Sequence, residues 1–359
     1  MKYDQIPKNL PAFLKDQQGS TVLIIALILP VLLGFAALAV DVGRIMAVKA
    51  QLNNAAEAGA LSGARALAPY TGTPAQPNWA NGTLQARQAV ERNAADKQSL
   101  TVSEASPGAA VPSLSEAPPR SQATPCYWRL SEKTTHPTSI TPQAADVPAI
   151  QVTVAKTAGH NGGPLSMTFA NILGYATVNL GGQAVAMLPS PSVIPPGDAF
   201  PFALPYTYVS QHWADVPLTP FTVGSAQHDS SGGQWTSFTT TNNAASYVSG
   251  LITNGNPTAI TIGDNIYIQT GAENSIYKTT ANQFKANPNK IYMVPVVPDG
   301  FSNGAYAKVK AYAAFVITGV NSGNDPYVTG HFIPNYVDPN AGGAGGPYLG
   351  TSLPPKLVN

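Results

Sequence analysis

Cysteine is all but absent from this chain. Cys126 is the single one in 359 residues, so no intrachain disulfide can form. An exported chain with one cysteine either pairs it with another chain or buries it. The setting Pro-Cys-Tyr-Trp-Arg-Leu reads as a short strand, and burial as a small apolar residue is the favoured reading. Charge is scarce too. Only 10% of residues are Asp, Glu, Lys or Arg, and the net charge is +1. No acidic or basic field exists to attract a polyanion, which excludes a nucleic-acid partner by charge. His136, His160, His212, His228 and His331 are scattered, without the i, i+4 spacing of a helical zinc site. There is no Gly-x-Ser-x-Gly elbow and no phosphate loop. His228-Asp229-Ser230-Ser231 is read as a polar loop, because adjacency in sequence is not triad geometry. Asp264 and Asn265 have calcium-compatible side chains but are favoured in turns for local hydrogen bonding. The expectation is no catalytic residue, no cofactor, no metal and no small-molecule substrate. No internal repeat at solenoid periods is found.

What the chain does have is one long apolar run near its start, then many Gly (32) and Pro (33) residues. Solubility beyond the run rests on Ser, Thr, Asn, Gln and Gly. The length suits two modest domains.

From Val22 to Val40 there is no charged residue, and the run passes through Pro30 and Gly34. As a helix it extends roughly 28 Å at about 1.5 Å per residue, close to a hydrocarbon core. It is apolar all round, unlike a half-buried soluble helix. Pro30 should kink it, which membrane helices tolerate. Lys2, Lys8 and Lys15 precede the run, so the positive-inside rule places the N-terminus in the cytoplasm. Arg44 and Lys49 follow closely and make that bias modest. Ala37-Leu38-Ala39 has the small-x-small form of a signal-peptidase site. A retained anchor is favoured over a cleaved signal, because the run is long and stays helical beyond its end.

The helix continues to Leu67, where Pro69 closes it. Val48, Leu52, Ala55, Gly59 and Gly63 fall at three- and four-residue steps on one face. That face is apolar and nearly flat, so another backbone can come close. Intramolecular packing and an intermolecular helix-bundle surface both remain open.

Gly19-Ser20, the apolar run, Asp41-Val-Gly43-Arg44 and Gln51-Leu-Asn-Asn-Ala-Ala-Glu57-Ala-Gly59-Ala-Leu-Ser62-Gly63-Ala64 resemble the TadG-like N-terminal domain of Flp/Tad (tight adherence) pilus-assembly proteins. Glu57, Gly59 and Ser62 are conservative departures from its Ala-rich pattern. A weaker likeness runs to about Leu188, through Val152-Thr-Val154, a short apolar helix ending near Gly174, and Ala184-Val-Ala186. The resemblance implies a membrane-anchored, pilin-like accessory, partnered by lipid, other Tad/Flp pilin-like subunits and the assembly platform. Minor pilins of that system are cut after a Gly, with a Glu five residues into the mature chain. Gly19-Ser20 could be such a junction, but the fifth residue here is Ile24. That departure favours an uncleaved anchor outside the filament. Some family members carry an adhesion domain with an Asp-x-Ser-x-Ser metal motif, and Asp229-Ser230-Ser231-Gly232-Gly233 does not match it.

The rest of the chain supplies short elements. A second helix is expected over 83–98, and 100–125 reads as a Ser/Ala/Pro-rich exposed loop after a brief strand near Val102. Strands are expected at 127–130, 149–155 and 175–187, the last as a strand or a hairpin about Gly181-Gly182, with helical spacing over 164–173. Pro189 to Gly197 reads as a stiff linker. Beyond it, strands are expected near 235–239, 291–297, 308–320 and 327–332, a hairpin over 259–269, and helices over 243–252 and 276–284. The tail after Pro339 is expected to be mobile unless docked. Trp79, Trp128, Trp213 and Trp235 could form a binding surface, though scattered aromatics are more often core.

The fold class is therefore α+β. A single transmembrane helix continues into a pilin-like long helix on a small antiparallel sheet, followed by a mostly-β domain. The expected divisions are a cytoplasmic tail (1–18), the long helix (19–67), a helix plus sheet (68–188), the linker (189–197) and an extracytoplasmic domain (198–359). The expected role is Tad/Flp pilus assembly from the inner membrane. The alternative is an exported surface adhesin with a cleaved signal.

Overall fold

The computed structural model describes residues 17–70, 76–114, 120–143, 145–224, 229, 231–271 and 273–358, with side chains from residue 22 onward. The expected tail at 1–16 lies outside them. The chain opens with helix α1 (Gln17–Arg65), which is continuous through Pro30. Ala and Leu recur through it, and Pro30 is its single proline. Helix α2 (Trp79–Glu91) follows. It starts at Asn78, whose side chain accepts from the Asn81 amide at 3.1 Å. It stops short of the expected Gln98. Asp96 and Lys97 take positive φ (51° and 62°) and turn a hairpin between Ala94–Ala95 and Gln98–Ser99.

The first sheet has six strands. Its order is Lys356–Val358, Leu180–Met187, Asp146–Lys156, Gln122–Arg129 and Ser103–Glu104, with Thr134–Pro137 also paired to Gln122–Arg129. It is antiparallel except where Ser103–Glu104 runs parallel to its neighbour. Ile150, Val152 and Val154 alternate onto the face that meets α1 and α2, where they share one buried cluster with Leu52, Ala56, Ala60, Ala86 and Val90. Burying a side chain such as Leu52 contributes about 1.5–3 kcal/mol. On the opposite face, Gln151 donates to the Pro112 carbonyl at 2.7 Å, and Val111 packs beside Trp128 and Val185. The Ser/Ala/Pro-rich segment is thus partly a cover for the sheet rather than wholly an exposed loop.

Close packing of α1 depends on glycine. A Cβ at Gly182 would fall onto the backbone of Leu52 and Asn53. Gly181 and Gly182 therefore sit mid-strand, where a helix backbone rests on a strand backbone, and not at a hairpin turn. At Gly63 a Cβ would lie 2.7 Å from the Gly82 carbonyl oxygen, and at Gly59 it would lie 2.7 Å from a Val90 methyl.

The second sheet has the order Phe221–Gly224, Tyr327–Phe332, Ala311–Asn321, Ile291–Val297, Phe202–Pro205 and Gln234–Trp235. Phe200, Phe202, Phe221, Phe315, Phe332 and Trp235 interlock in its core. The helices Ala245–Asn254 and Asn274–Ala286 bury Val248, Ile252, Ile276 and Tyr277 against that cluster. Trp235 is thus a core residue.

Three expectations are corrected by pairing. The Pro-rich stretch 189–197 is not a bare spacer, because Val193–Ile194 pairs with Ile260–Thr261 and Ile194 is fully buried. Nor do the 260s form a hairpin. Asn265–Tyr267 pairs with Tyr306–Lys308, because the turn at Thr261–Asp264 sends the chain to a different neighbour. The tail is docked: Lys356–Val358 is an edge strand of the first sheet, outside the unit to which 198–359 was assigned. Where the two sheets meet, Tyr70 stacks on Tyr348 with ring centroids 3.8 Å apart, and Trp213 meets Tyr348 edge-on at 5.2 Å.

Gly182→Ala should cost about 1–3 kcal/mol by forcing helix and strand apart. Gly43→Ala, with open space around the new methyl, should cost nothing and gain up to about 1 kcal/mol. Chemical denaturation of the full chain in detergent measures both. Equal stability of the Gly182 variant and the parent would remove the close-approach account.

Candidate functional site

Every residue from Val22 to Val40 except Ala37 is exposed, with large apolar side chains facing outward in all directions. Water does not tolerate such a surface over that length, whereas hydrocarbon does. α1 is long and apolar enough to cross a membrane. Pro30 and Gly34 lie inside this run, and no neighbouring atom approaches a Cβ built at Gly34. Gly19 and Ser20, the possible processing junction, lie in the first turn of the same helix.

The character of the helix changes at Asp41, which is 1% exposed. Its carboxylate accepts three backbone amides: Thr168 at 3.0 Å, Phe169 at 2.8 Å and Ala170 at 2.6 Å. These donors precede and open the 3-10 turn Ala170–Leu173. A carboxylate is suited to this because it offers two oxygens and a full negative charge to otherwise unpaired N–H groups. The Ala170 amide, with those of Thr168 and Phe169, holds the Asp41 carboxyl below its usual range against the opposing effect of burial, and the Arg44 charge acts in the same direction. Arg44 grips the same loop. It donates to the Ser166 carbonyl at 3.0 Å and to Asp96 at 2.9 Å. Gly43 points at open space. Of the motif Asp41, Gly43 and Arg44, the first and third form a clasp and Gly43 takes no part in it.

Val48, Leu52, Ala55, Gly59 and Gly63 are all buried. Their neighbours are α2 and the central strands of the first sheet, from the same chain. An intermolecular bundle on this face is therefore corrected, since the sheet already covers it.

The remaining polar candidates resolve into local structure. Asp229 accepts from the amides of Ser231 and Gly232, and Ser231 Oγ donates to the Thr222 carbonyl at 2.9 Å. His228 and Ser230 lie outside the described residues. Asp264 accepts from the Thr261 amide at 2.8 Å, closing a turn. Cys126 is buried, and burial pushes its thiol up to about 12. Among the described residues, no group of three or more His, Cys, Asp or Glu could hold a metal ion.

Sequence reasoning missed the loop that Asp41 holds. Helical spacing was read over 164–173, and a short 3-10 helix ending at Gly174 is found only at Ala170–Leu173. Leu165 is buried, whereas Ile172 and Leu173 point away from the protein core. The available signal was that no charged residue occurs from Thr157 to Gly197.

Residues 19–66 match the family model Tad, described as putative Flp pilus-assembly TadE/G-like. The resemblance read in the sequence is shown for this segment, which contains the apolar run, the Asp41 clasp and the buried small-residue face. No curated protein and no solved structure matches the chain.

Asp41→Ala should raise hydrogen exchange at the 168–170 amides while leaving the α1–sheet core protected. Unchanged protection in the loop would show that the carboxylate does not hold it. The pH dependence follows from the lowered pKa. The folded carboxyl titrates below the unfolded one, so the clasp is fully present above about pH 4 and is lost as pH falls through the folded value. Protection at these amides, corrected for intrinsic exchange, should stay level from neutrality to about pH 4 and fall below it.

Proposed function

We propose that this protein is a membrane-anchored, pilin-like accessory of a Tad/Flp pilus assembly and secretion system. The observation that carries the reading is the coincidence of two features in α1. The Tad-like match at 19–66 covers the helix able to cross a membrane, and that helix leaves lipid directly onto its own sheet. A Tad-like domain on a candidate membrane helix fits a pilus-associated membrane protein. The finer reading is single-pass in the cytoplasmic membrane, N-terminus inside, with both sheets outside. The lysines before the run support that orientation.

Two features support a retained anchor. Ala37-Leu38-Ala39 lies within an unbroken helix, and Asp41 fastens that helix to the sheet-bearing part just beyond. A cut after Ala39 would leave the clasp residue at the very end of a frayed helix. The small-residue face is taken by the chain itself. Contacts with pilin-like subunits and the assembly platform therefore fall to the exposed apolar run and to the outer surfaces of the sheets.

The test is the intact mass, N-terminal sequence and alkaline-carbonate resistance of the protein in fractionated membranes, with pilus counts in cells lacking it. Resistance to extraction, an N-terminus ahead of Val22 and loss of assembled pili are the expected results. A soluble product beginning at Val40, with normal pili, would overturn the reading in favour of an exported binding module.

A further inference from the structure

The loop held by Asp41 has an unusual surface. Ile172 is 84% exposed, Tyr175 72% and Leu173 69%, and Phe169 projects beside them. Its outward face is apolar, and no charge occurs anywhere from Thr157 to Gly197. Its position explains why. Phe169, Ile172 and Leu173 line one side of a cleft whose other side is Gly34, Ala37 and Leu38 of α1. Those three residues belong to the apolar run that ends at Val40. Gly34 lies roughly 9 Å below that end along the helix axis. A loop lying beside 34–38 is therefore below the end of the lipid-facing stretch, at a depth typical of elements buried about 5–10 Å into the headgroup and acyl boundary.

We propose that residues 169–175 insert into the bilayer leaflet that α1 leaves, forming a second membrane contact beside the transmembrane helix. The inference rests on α1 crossing the membrane. The occupant is lipid hydrocarbon, because the loop's apolar surface is continuous with the lipid-facing surface of α1 through the shared cleft. Tyr175, at the loop's end, has the amphipathic ring favoured at headgroup level. Asp41 and Arg44 supply the mechanical part. By holding the Ser166–Ala170 backbone they fix the wedge to the helix and satisfy amides that lipid would leave bare. Two contacts then set the angle of the sheets against the membrane, where one helix alone leaves them free to swivel.

The experiment places an environment-sensitive fluorophore on single introduced cysteines in the full chain reconstituted into phosphatidylcholine vesicles. The positions are Ile172→Cys, Leu173→Cys, Leu29→Cys and Val216→Cys. Native Cys126 is buried and stays unlabelled. The quenchers are lipids with a doxyl group high or low on the acyl chain, and aqueous iodide. The Ile172 and Leu173 labels should be quenched roughly twofold or more by shallow doxyl lipid, and less by deep doxyl or iodide. The Leu29 label should respond most to deep doxyl lipid, and the exposed Val216 label to iodide alone. Iodide quenching of the Ile172 and Leu173 labels, with the Leu29 label in lipid, overturns the wedge and leaves the anchor standing. Shielding of those labels from both quenchers overturns it in favour of contact with a second copy of the chain. A Leu29 label untouched by lipid removes the anchor, and the wedge with it.

Discussion

The backbone of one helix lies directly on the backbone of one strand, and most of the fold follows from that approach. At Gly182 there is no room for even a methyl group against Leu52. Helices normally sit on sheets with two layers of side chains between them. Here the Ala/Gly face of α1 thins one layer, and at Gly182 the other is missing, while Ile150, Val152 and Val154 keep it elsewhere. The gain is a close seat for a helix whose other half is largely exposed. Small residues admit any close backbone, and in this chain the sheet of the same chain takes the place. The Ala/Gly composition and the internal cover are one fact seen from two sides.

Asp41 marks the boundary between the two environments. From Val22 to Val40 the helix is apolar and, apart from the loop beside residues 34–38, has no protein around it. Toward the C-terminus the helix is held by packing. A charged group one residue past the lipid-facing run would be expensive if it stood alone. Three amide donors make it a fastener instead. Its pairing also resists mild acidity, because the carboxyl remains ionised below its ordinary range.

Legibility in the sequence tracked distance along the chain. The apolar run and the helical spacing of Val48, Leu52, Ala55, Gly59 and Gly63 are local patterns, and α1 could be read from them. The alternation in Ile150-Gln-Val-Thr-Val154 likewise revealed a central strand. Asp41 was visible only as a motif residue, because its partners lie 127 to 129 positions away. Gly181-Gly182 left a strand and a hairpin equally open, and the strand is found, since nothing local separates a turning glycine from one that makes room for a distant helix. Val193–Ile194 and Lys356–Val358 are too short for any periodicity to declare them. Their partners are chosen by the edges left open elsewhere in the fold.

The edge strand Lys356–Val358 has a consequence for the order in which the molecule is built. It completes a sheet whose adjoining strand, Leu180–Met187, is made much earlier. If the part beyond the anchor emerges in chain order, the sheet that seats α1 keeps an open edge until the residues of the second sheet have followed. Until then the exposed row of backbone groups is a site where a foreign strand could intrude. The last strand to be made is thus the one that covers the edge of the first sheet, so that edge is closed only when the chain has been made to its 350s.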